Sequence, residues 1–271
     1  MTSEPCNELS NVSKTNGFLI LSELKIAKDD LKSLLESSIL NALSIKDQKI
    51  MEKNNSFLLT YTQQNRLPST NFSATIDYDD MMGLIGEIVS EVHHRQCMEQ
   101  DPVYVKWRET GTSKSKGLDI VFHKNDQLYS IECKHPHESL NNPDNDNIKI
   151  ISRTVNRGFT SHDDHRTTEF MTKLYHRHLR QKRFLIGNHL DTTELDKKTT
   201  LLKRLIDNNN LVEEINLTAD KIYQSSTLSE DLDSNLDFNR HVLVSKSLGI
   251  VLLLIENIHD LSEEVFSKHG N

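Results

Sequence analysis

Two acidic residues and a lysine interrupt an apolar stretch, GLDIVFHKNDQLYSIECKH, between Gly117 and His135. The apolar pattern predicts two strands joined by a turn at KNDQ. Because side chains alternate between the two faces of a strand, Glu132 and Lys134 are expected on one face, with apolar neighbours on the other. Asp119 lies near the far end of the first strand, so the predicted turn brings it into the same neighbourhood.

These residue types can hold a divalent cation. The carboxylates of Asp119 and Glu132 and the backbone carbonyl of Cys133 are hard oxygen ligands of the kind that Mg²⁺ or Mn²⁺ prefers. The ammonium group of Lys134 would lie near a nucleophilic water and an incoming phosphate, where it could stabilise developing charge. The pattern therefore predicts phosphodiester hydrolysis. A metal-free ion pair between Asp119 and Lys134 is the structural alternative.

A predicted helix upstream supplies further acids. The stretch DYDDMMGLIGEIVSEVHHRQCM has an apolar stripe at helical spacing, and Asp79 or Asp80 can cap its start. Glu87 and Glu91 stand one turn apart on this helix. Glu87 is expected to assist the site, and Glu91 competes with it for that role because it lies nearer the apolar face.

The sequence GLD, twelve further residues and ECK together resemble the G-x-D and E-x-K core of the PD-(D/E)XK nuclease superfamily. The resemblance covers about residues 83–190 and implies a mixed central sheet flanked by helices, as in restriction endonucleases. It implies that Asp119 and Glu132 are metal ligands and that Lys134 is the catalytic lysine. Glu87 would be the helix acid. A narrower resemblance, in layout and length, is to the nuclease subunit of Hachiman-type antiphage systems, which implies a helicase partner.

Basic residues are concentrated in the middle of the chain. The net charge is −8, yet residues 104–183 hold 15 Lys and Arg against 10 Asp and Glu. A locally basic region can bind a polyanion, and phosphate contacts come mostly from such side chains. A solvated helix face is the alternative for any single one of them. The candidate DNA-binding residues are Lys114, Lys116, Arg153, Arg157, Arg166, Arg177 and Arg180.

Strands that alternate with helices predict an α/β fold with a mixed sheet. We expect an N-terminal α/β lobe over residues 1–76, a candidate partner-binding region, and a nuclease-like domain over residues 77–271. Strands are predicted at residues 18–26, 56–62, 103–107 and 185–190, helices at 28–44, 77–98, 163–184 and 196–224, and buried strands followed by a helix after residue 241.

Several functional classes lack their motifs. The sequence has no P-loop, G-x-S-x-G, H-E-x-x-H or G-x-G-x-x-G pattern, so helicase activity would have to come from a partner. The longest apolar run, GIVLLLI, is too short to span a bilayer. Three scattered cysteines form neither a disulfide framework nor a zinc pattern, which predicts a reducing cytoplasm. A non-catalytic regulatory subunit and a stand-alone restriction-type endonuclease are the alternative functions.

Overall fold

The described residues form one seven-stranded sheet with helices packed on both faces. This arrangement confirms the α/β class and the mixed sheet. The computed structural model describes residues 6–14, 17–54, 74–98, 102–114, 117–124, 127–136, 147–165, 167–208, 211–220 and 248–269.

The strands are β1 (Cys6–Lys14), β2 (Gly17–Leu24), β3 (Tyr104–Val105), β4 (Ile120–Lys124), β5 (Gln127–Lys134), β6 (Leu211–Asp220) and β7 (Leu248–Ile255). The helices of the described residues are α1 (Lys28–Asn54), α2 (Tyr78–Cys97), α3 (Lys106–Thr110), α4 (Asn147–His165), α5 (Thr167–Gly187), α6 (Thr193–Asn208) and α7 (Ile258–His269).

The order of strands in the sheet is β1-β2-β7-β6-β5-β4-β3. The four strands β2, β7, β6 and β5 run parallel, whereas β1, β4 and β3 are antiparallel to their neighbours. In the β4–β5 hairpin, Ile120 lies opposite Ile131. Continued by one residue, this register puts Asp119 opposite Glu132, as the sequence predicts for the hairpin.

Apolar clusters on both faces hold the sheet between helices. One cluster joins α1, α2 and α7 to sheet residues such as Ile131 and Val251. On the opposite face, Ile151 and Val155 of α4 pack against Ile215. Each of these side chains is almost fully buried, and burial of a large aliphatic side chain contributes about 1.5–3 kcal/mol. Both faces of the sheet are therefore rigidly packed around the hairpin.

The N-terminal segment belongs to the same sheet. Strand β2 pairs in parallel with β7, from Gly17 opposite Leu248 to Glu23 opposite Leu254. Helix α1 is joined to α7 by ion pairs from Lys28 and Lys32 to Glu264. The expected boundary at residue 76 therefore does not coincide with a break in the sheet, and the additional N-terminal lobe is not seen as a separate unit among the described residues.

Several element predictions differ from the structure. The strand expected at residues 103–107 ends at Val105, and α3 follows it. The strand expected at residues 185–190 is wrong, because α5 continues to Gly187. Residues 211–220 form β6 instead of a helix. The alternation of β6 is hidden in the sequence because Glu213, Glu214 and Asn216 are polar yet buried.

The helices on either side of residue 166 also differ from the prediction. Helix α4 occupies residues 147–165, so the helix expected to begin at residue 163 begins instead at Thr167, as α5. The strand expected at residues 56–62 lies outside the described residues. Within the described part of the chain, no helix combines the length and the apolar character needed to cross a membrane.

Candidate active site

A buried cluster of three carboxylates and two ammonium groups lies where α2 meets the ends of β3, β4 and β5. Lys106 Nζ donates to Asp119 Oδ1 and lies 3.1 Å from Glu87 Oε1. Lys134 Nζ donates to Glu132 Oε1 at 2.5 Å. The structure thus brings the four residues singled out in the sequence together with a fifth, Lys106. We call Glu87, Lys106, Asp119, Glu132 and Lys134 the acidic cluster.

Backbone contacts on both sides hold Asp119 in place. Its Oδ2 accepts a hydrogen bond from the Cys133 amide at 2.7 Å, and its carbonyl oxygen accepts one from the Lys106 amide at 2.8 Å. Asp119 immediately precedes β4, so these bonds tie the start of that strand to β5 and to α3. The Asp119 carboxylate is therefore fixed in one position, with its Oδ1 facing Lys106.

Helix α2 brings Glu87 to the end of the sheet. The helix packs on the end of β5 at Gly86, where a Cβ would make an ordinary van der Waals contact, 3.5 Å from the carbonyl carbon of Lys134. Glu87 Oε2 accepts a hydrogen bond from the Trp107 amide at 3.1 Å, while its Oε1 faces Lys106. The start of α3 therefore supplies two groups that face this carboxylate.

Glu91 points to a different set of partners. Its carboxylate accepts hydrogen bonds from Trp107 Nε1 at 3.1 Å, from Arg108 Nε at 2.8 Å and from Arg95 Nε at 2.7 Å. These contacts fix α3 against α2. Of the two helix acids left open by the sequence, the structure places Glu87 beside Asp119 and gives Glu91 a packing role.

Electrostatic coupling within the acidic cluster determines its charge state. Burial raises the pKa of Glu87 well above its usual value, and the charges of Asp119 and Glu132 act in the same direction against Lys106. Burial lowers the pKa of Lys106, but the nearby carboxylates more than offset this and raise it well above the ordinary value. Burial therefore favours the protonated form of the Glu87 carboxyl group, and the charge of Lys106 opposes this effect.

Lys134 is the member of the acidic cluster that solvent reaches. Its side chain is 22% exposed, whereas the side chains of Lys106 and Glu132 are 5% and 4% exposed. Burial lowers the pKa of Lys134, but Glu132 and Asp119 outweigh it and leave the pKa raised. Lys134 is therefore a charged ammonium group at neutral pH and can act as a hydrogen-bond donor but not as a general base.

The candidate DNA-binding residues have different surroundings. Arg153, Arg157 and Arg180 are exposed on α4 and α5. Lys114 pairs with Asp77 at 2.6 Å. The guanidinium of Arg177 lies 2.6 Å from Glu109 and 5.4 Å from the ring centre of Tyr104, so this residue also stabilises the fold. Lys116 and Arg166 lie outside the described residues.

Lys106 was missed in the sequence because VYVKW was interpreted as a strand. The signal that marked the hairpin was present here as well, since a lysine stands between apolar residues. The structure buries it to 4% exposure, and a buried lysine almost always has a charged partner. The partners were not predictable from VYVKW alone, because they lie on α2 and before β4.

Comparison with known proteins gives no family assignment. No protein-family model matches the chain, and no curated protein matches it either. The function has therefore to be inferred from the geometry and chemistry of the acidic cluster.

Proposed function

We propose that the chain is a metal-dependent nuclease of the PD-(D/E)XK superfamily that hydrolyses phosphodiester bonds in DNA. The observation that carries this proposal is the convergence of four residues, from α2, from the position before β4 and from β5, on one buried cluster: Glu87, Asp119, Glu132 and Lys134. A purely structural core would not need three carboxylates close together in the interior, because the burial of each carboxylate costs desolvation free energy.

The carboxylate oxygens of the acidic cluster fit Mg²⁺ or Mn²⁺. Asp119 and Glu132, with the carbonyl of Cys133, would hold the cation, and Glu87 would assist. The bound cation would supply Lewis-acid stabilisation of charge at the phosphate. In the structure, the ammonium group of Lys106 provides the positive charge next to Glu87 and Asp119. It therefore keeps the carboxylates together without a metal and competes with an added cation.

Lys134 would contact the substrate. It is charged, lies beside Glu132 and is the most exposed member of the acidic cluster. It can therefore donate a hydrogen bond to a non-bridging phosphate oxygen, where negative charge develops during hydrolysis. Glu132 fixes the position of its Nζ, so loss of Glu132 would also disturb Lys134.

The narrower resemblance, in layout and length, supports a more specific assignment. We propose that the chain is the nuclease effector of a Hachiman-type bacterial antiphage complex in the cytoplasm, with a helicase as partner. The chain has no nucleotide-binding motif of its own. Exposed Arg153, Arg157 and Arg180 would bind the DNA backbone.

Cleavage of plasmid and linear DNA in Mg²⁺ or Mn²⁺ tests the proposal. We expect the wild type, alone or with its partner, to cut, and Glu132→Gln and Lys134→Ala to lose about 10²-fold or more in rate. Lys203→Ala is the matched control, because Lys203 is exposed on α6 and pairs with Asp207. Cutting by Glu132→Gln and Lys134→Ala at the wild-type rate would refute the catalytic assignment.

A non-catalytic regulatory subunit is the second candidate. The burial of Asp119 and Glu132 to 2% and 3% exposure, together with the ammonium group of Lys106, favours it. It predicts partner or DNA binding that is unchanged in a Glu132→Gln/Lys134→Ala double variant, with no cleavage by the wild type. A stand-alone restriction-type endonuclease would instead cut at a fixed sequence without a partner.

A further inference from the structure

A second group of metal-binding residue types lies at the C-terminal end of α2. His93 and Cys97 are four residues apart on this helix, so they share one face. Cys6, at the start of edge strand β1, reaches the same place. Ligand atoms of these three residues all lie within 4.8 Å of one another. Cys97 is ten residues after Glu87, about 15 Å along the helix, so this group is distinct from the acidic cluster.

The two cysteines are already paired in the structure. Cys6 and Cys97 are in sulfur contact, with their Cα atoms 5.8 Å apart. This pair corrects the sequence-based expectation that the scattered cysteines form no disulfide, an expectation that rested on their wide spacing, since 91 residues separate the two in the chain. Both side chains are half-buried against the main apolar core, and Cys133, a buried member of that core, is a free thiol.

The surroundings of His93 indicate that this group can do more than form a disulfide. The residue is 2% exposed, and its Nδ1 has no hydrogen-bond partner among the described residues. Leaving a buried polar nitrogen unsatisfied costs about 1–3 kcal/mol, and a disulfide offers it no compensation. Burial lowers the pKa of His93 to about 4, so the imidazole is neutral at pH 7 and keeps a lone pair on one ring nitrogen.

We propose that Cys6, His93 and Cys97 bind one Zn²⁺ ion when the two thiols are reduced. Two thiolates and an imidazole are the ligands that Zn²⁺ prefers, and water can fill the fourth position. The complex is electrically neutral, because two thiolate charges balance the dication, and a neutral complex suits a half-buried site. Rotation of the short cysteine side chains would open the sulfur atoms to about 3.8 Å, the spacing in a tetrahedron with 2.3 Å bonds.

The position of the site indicates a structural role. Strand β1 lies at the edge of the sheet and is bonded only to β2 within it. A Zn²⁺ ion would join this edge strand directly to α2, the helix that carries Glu87. The site would therefore fix to α2 an edge strand that has one hydrogen-bonded neighbour in the sheet.

Metal analysis and Co²⁺ substitution test this proposal on the full chain in a phosphine reductant. We expect one equivalent of Zn²⁺ per chain and, with Co²⁺, thiolate charge-transfer absorption in the near ultraviolet. Cys6→Ser and Cys97→Ser should lose this absorption, and His93→Ala should weaken binding by more than about tenfold. Cys133→Ala is the matched control, because it removes the third thiol and should leave the absorption unchanged.

A labelling experiment covers the case in which these variants do not fold. In the wild type, Zn²⁺ should slow maleimide modification of Cys6 and Cys97, as measured by peptide mass spectrometry. Absence of metal uptake by the reduced wild type would overturn the proposal, and so would equal uptake by Cys97→Ser. A Cys6–Cys97 disulfide that persists in excess reductant, with no Co²⁺ absorption, would do the same.

Discussion

Removal of the buried ammonium group of Lys106 is the sharpest test of the acidic cluster. In Lys106→Met the aliphatic stem is kept, but Asp119 Oδ1 and Glu87 Oε1 both lose their Nζ partner. All three side chains are at most 5% exposed, and breaking such a buried pair costs about 3–5 kcal/mol. The free energy of unfolding of a domain is about 5–15 kcal/mol in total. We therefore expect Lys106→Met to be marginally stable, with a Tm lower by about 6–20 °C.

The loss of folding stability in Lys106→Met should depend on pH. Burial already raises the pKa of Glu87, and removal of Lys106 removes the positive charge that opposes this rise. A carboxyl group with a raised pKa in the folded state contributes stability below its unfolded pKa and loses this contribution as the pH rises through the folded pKa. The deficit of Lys106→Met should therefore grow from pH 5 to pH 8, by at most about 1.4 kcal/mol per pH unit.

A divalent cation should restore part of the stability lost in Lys106→Met. A ligand that binds only the folded state adds about 2.7 kcal/mol at 100 times its Kd. We expect Mn²⁺ at such a concentration to stabilise Lys106→Met by about that amount. The wild type should gain less, because Lys106 competes with the cation for Glu87 and Asp119. Urea unfolding at equilibrium, in EDTA and in Mn²⁺, measures both quantities.

Two further variants make the result interpretable. Lys134→Met removes an ammonium group that is 22% exposed, so its loss should be smaller, about 1–2 kcal/mol. In Lys106→Met/Asp119→Asn the unpaired carboxylate is gone, so the Mn²⁺ response should fall. The reasoning is refuted if Lys106→Met loses less than about 1 kcal/mol, or if Mn²⁺ stabilises the single and double variants equally.

Three other predictions concern binding and packing. DNA affinity of the wild type, measured by fluorescence anisotropy, should be about tenfold higher in Ca²⁺ than in EDTA, because cation and DNA binding are coupled; equal affinities would argue against a cation at the phosphate. Glu91→Gln should lower the free energy of unfolding by about 1–3 kcal/mol through its lost charged hydrogen bonds while DNA cleavage by the folded protein persists. Gly111→Ala, at φ +70° and against the Ala42 carbonyl oxygen, should destabilise by about 1–3 kcal/mol in urea unfolding, whereas Gly86→Ala meets only ordinary contacts and should cost about 1 kcal/mol or less.

The hairpin could be predicted from the sequence because its information is local. Alternation with a period of two placed Ile131 and Cys133 in the core, and the structure buries both. The same alternation placed Glu132 and Lys134 together on the opposite face, and the short turn set the register between the two strands. The sheet around the hairpin was harder to predict, because β6 contains buried acids that resemble a solvated helix face.

Long-range partners could not be derived from the sequence. The position of the Lys106 side chain depends on the change from strand to helix after Val105. This change places the side chain between residues of two other elements. Cys6 and Cys97 are separated by 91 residues and meet only because β1 lies beside α2. Spacing along the chain does not contain this information, so it required the tertiary structure.

The charge balance of the acidic cluster connects its burial to the proposed reaction. The raised pKa of Glu87 favours its protonated form, which leaves two carboxylates balanced by two ammonium groups, and a phosphodiester beside Lys134 would add a negative charge. A divalent cation that replaces this proton changes the net charge of the cluster to +1, so cation binding and DNA binding should strengthen each other. A cluster with only a structural role is balanced by Lys106 and Lys134 and gains little from a cation. Reciprocal coupling between cation and DNA is therefore the property that separates a nuclease centre from a buried ion-pair network.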